Sequence, residues 1–100
     1  MEQVLERIRK FRDERNWMQF HDPKNLAISI SIEAAELLEH FQWKTDVQFK
    51  AYLETHKDEV ADELIDVLYW VLLMSHDLDI DIAKEFKRKM QKNALKYPLD

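Results

Sequence analysis

The stretch DEVADELIDVLYWVLLM, residues 58–74, decides the fold class of this chain. Its first half is acidic, which suits the positive end of a helix dipole, and its second half is apolar on every side. The stretch therefore predicts a long helix over about residues 57–75 whose second half must be buried all round. The apolar run at residues 67–74 is much shorter than the ~20 residues that a membrane helix requires. We therefore expect no membrane partner.

The composition around this helix favours an all-α protein. The 100 residues contain no glycine and only two prolines, whereas β-hairpins draw on glycine at positive φ. Helical spacing of apolar residues and cap signals predict further helices over about residues 2–15, 22–41 and 81–96, and a short helix from Thr45 or Asp46 through Leu53. The alternation in LAISISI, residues 26–32, resembles a strand, but it continues into EAAELLEHF without a turn residue. We predict one domain over residues 1–100.

The charge and the lack of cysteine limit the partners and the compartment. A formal net charge of −5 disfavours nucleic-acid binding, and it means that cations must mediate the binding of any polyphosphate. Without cysteine there can be no disulfide and no thiolate metal site, and a reducing compartment is compatible. The N-terminal stretch lacks the apolar segment of a secretory signal. We therefore expect a cytoplasmic protein.

Two pairs of acidic residues carry the strongest chemical signal. Glu33 and Glu36 are three residues apart on one predicted helix, Glu63 and Asp66 are three apart on another, and residues at this spacing share a helix face. If the two helices pack antiparallel, the four carboxylates converge and need divalent cations or protons. Hard oxygen ligands without cysteine favour Mg²⁺ or Mn²⁺ over zinc. Solvated acidic faces are the alternative, but Glu33 and Glu36 lie within apolar ISIEAAELL and Asp66 directly precedes the apolar run.

Four motifs together resemble one protein family. They are WxQFHxPxN at residues 17–25, EAAELLEHFQW at 33–43, DELIDVLYW at 62–70 and KRKMQKNALKYP at 87–98. In this combination the chain resembles the MazG-like all-α nucleotide pyrophosphohydrolases, close to their dCTP pyrophosphatase branch. The resemblance implies a four-helix-bundle-like fold and Mg²⁺-dependent hydrolysis of dCTP or related (deoxy)nucleoside triphosphates to monophosphate and pyrophosphate, as in nucleotide-pool house-cleaning. It also implies the Mg²⁺ ligands Glu33, Glu36, Glu63 and Asp66.

The remaining site residues are candidates for the proton acceptor and the substrate contacts. Glu36 or Glu39 could accept the proton of the attacking water, and the sequence does not decide between them. By resemblance, Lys89, Asn93 and Tyr97 are expected near the phosphates, and their i, i+4, i+8 spacing places them on one helix face. The candidate nucleoside contacts are Trp17, His21, Asn25, Trp43 and Trp70, although tryptophans in a small helical protein more often belong to the core.

A homo-oligomer and two rival functions complete the expectations. A helix that is apolar on all sides cannot easily be covered by one 100-residue chain, so we expect a homodimer or homotetramer, as the resemblance also implies. One rival is a non-catalytic helical dimerisation module, which predicts no dependence on divalent cations. A di-iron bundle is the other, but its Glu-x-x-His motifs are absent from both acidic pairs.

Overall fold

The computed structural model describes residues 1–99, and most of them are helical. The helices are α1 (Glu2–Glu14), α2 (Pro23–Glu39), α3 (Asp46–Asp77) and α4 (Ile82–Lys96), with a short 3-10 helix, Trp17–Phe20, between α1 and α2. Among these 99 residues there is no strand, so the predicted all-α fold class is confirmed.

The helix starts follow from side chains that satisfy free backbone N–H groups. The Asp22 carboxylate accepts a hydrogen bond from the backbone N–H of Asn25 at 2.7 Å and opens α2, as predicted. At the start of α3 a capping box forms, in which the backbone N–H of Thr45 donates to the Gln48 side chain at 2.9 Å while Thr45 Oγ1 accepts from the N–H of Gln48 at 3.3 Å. Asp81 caps α4 in the same manner.

The stretch LAISISI lies inside α2, which confirms that its helical surroundings outweigh its local alternation. Leu26 is buried, and the hydroxyl of Ser31 donates to the carbonyl oxygen of Ala27 at 3.1 Å. A serine in mid-helix can be accommodated in this way, because its hydroxyl bonds back to the preceding turn.

The predicted division of α3 into two helices is wrong. A short helix was expected to end at Leu53 and a longer one to begin at Lys57, but a single helix of 32 residues runs from Asp46 to Asp77. The intervening ETHK contains neither glycine nor proline, and the Thr55 hydroxyl donates to the Tyr52 carbonyl oxygen at 3.3 Å instead of capping a new helix. The acidic stretch that suggested a helix start therefore lies in the middle of α3.

The core lies where α1 and α2 pack against the second half of α3. Four apolar side chains on these helices are buried together, namely Ile8, Leu26, Leu72 and Leu73. In α4 no residue from Ile82 to Lys96 is buried, and its apolar side chains Phe86 and Leu95 are 64% and 85% exposed. Within residues 1–99, no helix has the length and apolar character needed to cross a bilayer.

The single chain exposes more surface than a compact protein of its mass. Its accessible surface is 8322 Å² and its radius of gyration is 16.7 Å. A compact monomer of 12.2 kDa would expose about 6,000 Å² and have a radius of gyration of about 13 Å. The difference reflects α4 and the partly uncovered apolar side chains.

Candidate metal centre and adjoining cavity

The packing of α2 against α3 brings three carboxylates together. Glu33 and Glu36 lie on α2 and Glu63 lies on α3, and one oxygen atom from each lies within 4.8 Å of the other two. All three residues are partly buried. Leu26 near the start of α2 packs with Leu73 late in α3. Glu33 and Glu36, later in α2, meet Glu63 earlier in α3, so the two helices run in opposite directions.

The electrostatics of this carboxylate cluster favour a bound cation. Burial, the neighbouring Glu36 and the charges of Asp66 and Glu63 together raise the pKa of Glu33 to about 7, with burial as the largest cause. The pKa of Glu63 is also raised, by burial first and then by Glu36. Atom Oε2 of each of these two residues is buried and accepts no hydrogen bond from the residues that the structure describes. Crowded, partly desolvated oxygen ligands of this kind fit Mg²⁺ or Mn²⁺.

The other two acidic candidates lie at different distances from the cluster. Asp66 is close enough for its charge to raise the pKa of both Glu33 and Glu63, and it lines the same cavity as Glu33. Glu39 is the last residue of α2, is exposed and lies outside the group of three oxygens.

A cavity of about 360 Å³ opens beside the carboxylates. Its lining combines acidic and aromatic side chains, Glu33, Asp66, Phe11, Trp17, Tyr69 and Trp70. The acidic side comes from α2 and α3, and the aromatic side comes from α1, the 3-10 helix and α3. A concave site with a few polar groups among aromatic rings is the usual form of a small-molecule site. Trp17 is 39% exposed, so its ring is available to a ligand.

His21 and Asn25 differ in how far their side chains are already hydrogen-bonded within the protein. The His21 ring packs edge-on against Trp70 with centroids 5.3 Å apart, and its Nδ1 is buried without a partner among residues 1–99. Burial lowers the pKa of His21, the Arg12 charge lowers it further, and Asp77 raises it. The Asn25 amide donates to the Phe20 carbonyl oxygen at 3.2 Å and therefore holds the loop before α2.

Four candidate residues lie away from this cavity in the single chain. Trp43 is 85% exposed in the turn after α2. Lys89 and Asn93 lie on α4, and Tyr97 follows its last residue and is 69% exposed. None of the four lines the 360 Å³ cavity that the structure describes.

Phe11 and Tyr69 line the cavity but were not among the sequence candidates. Tyr69 lies three residues after Asp66, so the helical spacing alone could have placed it on the same face. Phe11 had no comparable signal, because α1 is linked to the carboxylates only by the tertiary fold.

A comparison with protein families identifies the family of this chain. The model of the MazG-like family matches residues 28–100. The chain belongs to the MazG-like family. The matched part of this MazG-like chain contains all four predicted metal ligands, whereas Trp17, His21 and Asn25 precede it.

Individual relatives and one solved structure are also similar to this MazG-like chain. The dCTP pyrophosphatase 1 of Rattus norvegicus is 35% identical over 98% of the chain, and that of Homo sapiens is 35% identical over 97%. The chain spans 61% of the length of each of these two relatives. A crystal structure of a pyrophosphatase from Archaeoglobus fulgidus has a TM-score of 0.92 and 48% identity, covering 99% of this chain and 93% of that one.

Proposed function

We propose that the chain is a Mg²⁺-dependent nucleoside triphosphate pyrophosphohydrolase, which converts a nucleoside triphosphate and water to the monophosphate and pyrophosphate. The observation that carries the proposal is the convergence of Glu33, Glu36 and Glu63 at the edge of an aromatic-lined cavity. Membership of the MazG-like family and the similarity to proteins named as pyrophosphatases support it.

In this proposal four carboxylates hold the metal, Glu33, Glu36, Glu63 and Asp66. When bound there, Mg²⁺ or Mn²⁺ supplies charge neutralisation for the triphosphate and lowers the pKa of the attacking water. The chain's own part is to hold these ligands and to accept the proton of that water on Glu36 or Glu39. Glu36 belongs to the oxygen group and Glu39 lies outside it.

The proposed substrate is a deoxynucleoside triphosphate with a pyrimidine base, dCTP or a modified form, which fits a role in nucleotide-pool house-cleaning. The names of the rat and human relatives support this choice. Stacking on Trp17 contributes affinity of roughly 1–3 kcal/mol per base but little discrimination. His21 is the polar candidate for reading the base, because Asn25 already holds its own loop.

A homodimer or homotetramer completes the proposal. The chain exposes roughly 2,000 Å² more than a compact monomer of its mass, which matches the area that each chain of an obligate oligomer can bury. Lys89, Tyr97 and Trp43 are exposed in the single protomer, and Asn93 is partly buried. We assign Lys89, Asn93 and Tyr97 to the phosphates and Trp43 to the nucleoside in the assembled protein.

The direct test is a pyrophosphate-release screen over canonical and modified nucleotides, with Mg²⁺ and with EDTA as the control. We expect equal amounts of monophosphate and pyrophosphate, with dCTP or a modified form among the best substrates and no product in EDTA. Release of orthophosphate instead would contradict cleavage between the α and β phosphates. No turnover of any nucleotide would favour the non-catalytic helical module.

A second test concerns the sugar. Trp70 lines the cavity one helical turn after Asp66 and is large enough to exclude a 2′-hydroxyl. Trp70→Ala is expected to bring the kcat/KM values for dCTP and CTP closer together, whereas His21→Ala is expected mainly to raise KM for the preferred base. Equal turnover of dCTP and CTP by the unmodified protein contradicts this sugar wall and leaves the reaction type untouched.

A further inference from the structure

A partly buried ion pair ties α1 to the end of α3. Arg12 is only 2% exposed, and its guanidinium donates to both carboxylate oxygens of Asp77, at 2.7 and 3.0 Å. The two residues are 65 positions apart in the sequence and lie in the last turn of α1 and at the last residue of α3. A two-point contact of this kind fixes both distance and orientation.

Packing alone does not require this pair. Arg12 follows Ile8 by one helical turn on the apolar face of α1, where a leucine or methionine would fill the space without the cost of burying a charge. Replacing a buried ion pair by apolar residues is often neutral or stabilising. The pair therefore contributes directional placement, which non-directional apolar contacts do not supply.

The placement that Arg12 controls is that of the two aromatic rings that α1 and the 3-10 helix bring to the cavity, Phe11 and Trp17. Phe11 precedes Arg12, and its ring packs edge-on against Trp17 at 5.6 Å and against Tyr69 at 6.4 Å. Phe11 lies on α1 and Trp17 packs against it, so the positions of both rings depend on the position of α1. Glu33 and Asp66 belong to α2 and α3. The width of the cavity depends on how α1 sits on α3.

His21 lies beside the same ion pair. Arg12 from α1 and Asp77 from α3 are the charged groups that act on its ring, in opposite directions, and Trp70 of α3 packs against it. A shift of α1 along α3 would therefore change the surroundings of His21 as well as the position of Trp17.

We propose that Arg12 and Asp77 form a positioning pair that sets Phe11 and Trp17 against the carboxylates and thereby determines the affinity for the nucleoside part of the substrate. The pair acts through Phe11, Trp17 and His21 and does not itself touch the reacting atoms. This inference rests on the proposed pyrophosphohydrolase activity.

The kinetic test compares Arg12→Lys and Asp77→Asn with a matched exposed pair on α1. Arg9 donates to Glu6 at 3.2 Å, so Arg9→Lys and Glu6→Gln make the same chemical changes away from the cavity. Because the reacting groups are on α2 and α3, we expect KM for dCTP to rise about tenfold with kcat within about twofold. Arg9→Lys and Glu6→Gln should leave KM unchanged. Mg²⁺ is expected to raise Tm because it binds only the folded protein, and this rise should persist in all four variants.

A nuclear magnetic resonance titration of the His21 ring supplies a readout that a loss of packing would not produce. Asp77→Asn removes the negative charge and should lower the pKa of His21 further, whereas Arg12→Met removes the positive charge and should raise it. General loosening of α1 would raise the pKa of His21 toward its ordinary value in both variants, so Asp77→Asn is the variant that separates the two explanations.

The outcomes separate this inference from the proposed function. Turnover by the unmodified chain with unchanged KM in both Arg12→Lys and Asp77→Asn contradicts the positioning role alone. Parallel losses of kcat and of the Mg²⁺-induced rise in Tm also contradict it, since they indicate damage to the carboxylate site. Failure of the unmodified chain to hydrolyse any nucleotide contradicts the proposed function itself.

Discussion

At the scale of single residues, Glu33 shows that bringing the carboxylates together disfavours their ionised form. Burial and three neighbouring carboxylates raise its pKa to about 7, so the metal-free folded protein retains a proton that an exposed glutamate has lost. A divalent cation bound in the cluster would displace that proton. Affinity for the metal is therefore expected to increase with pH.

The raised pKa of Glu33 predicts a pH dependence of stability. Between the unfolded value of 4.5 and about 7 the folded state binds more protons than the unfolded state, so the free energy of unfolding falls as the pH rises and levels off above about 7. Glu33→Gln should remove much of this fall. Urea unfolding in EDTA across this range measures the difference between the two proteins, and identical slopes would contradict the assignment.

How far residues can be predicted from the sequence depends on whether their signal is local. Glu33, Glu36, Glu63 and Asp66 became candidates because each pair shares a helix face within or directly before an apolar stretch. Arg12 could have been noticed only as a charge on the apolar face of α1, and its partner is 65 positions away. No local pattern indicates that pairing.

At the scale of elements, α3 is the scaffold of the proposed site. One helix of 32 residues carries Glu63, Asp66, Trp70 and Asp77, so two of the four proposed metal ligands, part of the cavity wall and the partner of Arg12 are placed by a single element. The sequence offered Thr45 or Asp46 as its N-cap, and Thr45 is the cap that forms, because capping is local. Its continuity was missed because an acidic stretch in mid-helix has the same composition as a helix start.

Proline at position 57 distinguishes one helix from two. Lys57→Pro would be tolerated at the first turn of a new helix, but inside α3 it removes a backbone hydrogen bond and clashes with the preceding turn. We expect a loss of about 3 kcal/mol in the free energy of unfolding relative to Lys57→Ala. Denaturant unfolding of the two variants measures this, and equal stabilities would indicate a break near residue 57.

At the scale of the whole molecule, the exposed apolar surface of α4 has no counterpart within the chain. Phe86 is 64% exposed and Met90 is 43% exposed, on a helix that packs on the rest mainly through its first residue, Ile82. In the sequence, the apolar run of α3 indicated that a partner chain must cover part of that helix. In the structure, apolar side chains of α4 are also uncovered. The apolar run of α3 did not indicate this, because it belongs to a different helix.

The proposed oligomer predicts the mass in solution. Static light scattering at micromolar concentration should give two or four times the 12.2 kDa of one chain. Phe86→Asp should lower that mass by placing a charge in the contact, whereas Lys87→Asp, a change on a neighbouring position, is the control. A mass of one chain for the unmodified protein would refute the oligomer.

The central claim is that the carboxylate cluster performs Mg²⁺-dependent pyrophosphate release, and Glu63→Gln tests it most directly. The change removes a charged ligand with little change in volume, and Glu59→Gln, an exposed position on the same helix, is the control. With dCTP and Mg²⁺ we predict that Glu63→Gln abolishes pyrophosphate release while the helical circular dichroism and the activity of Glu59→Gln are retained. Retention of more than about a tenth of the activity by Glu63→Gln would contradict the metal-site assignment.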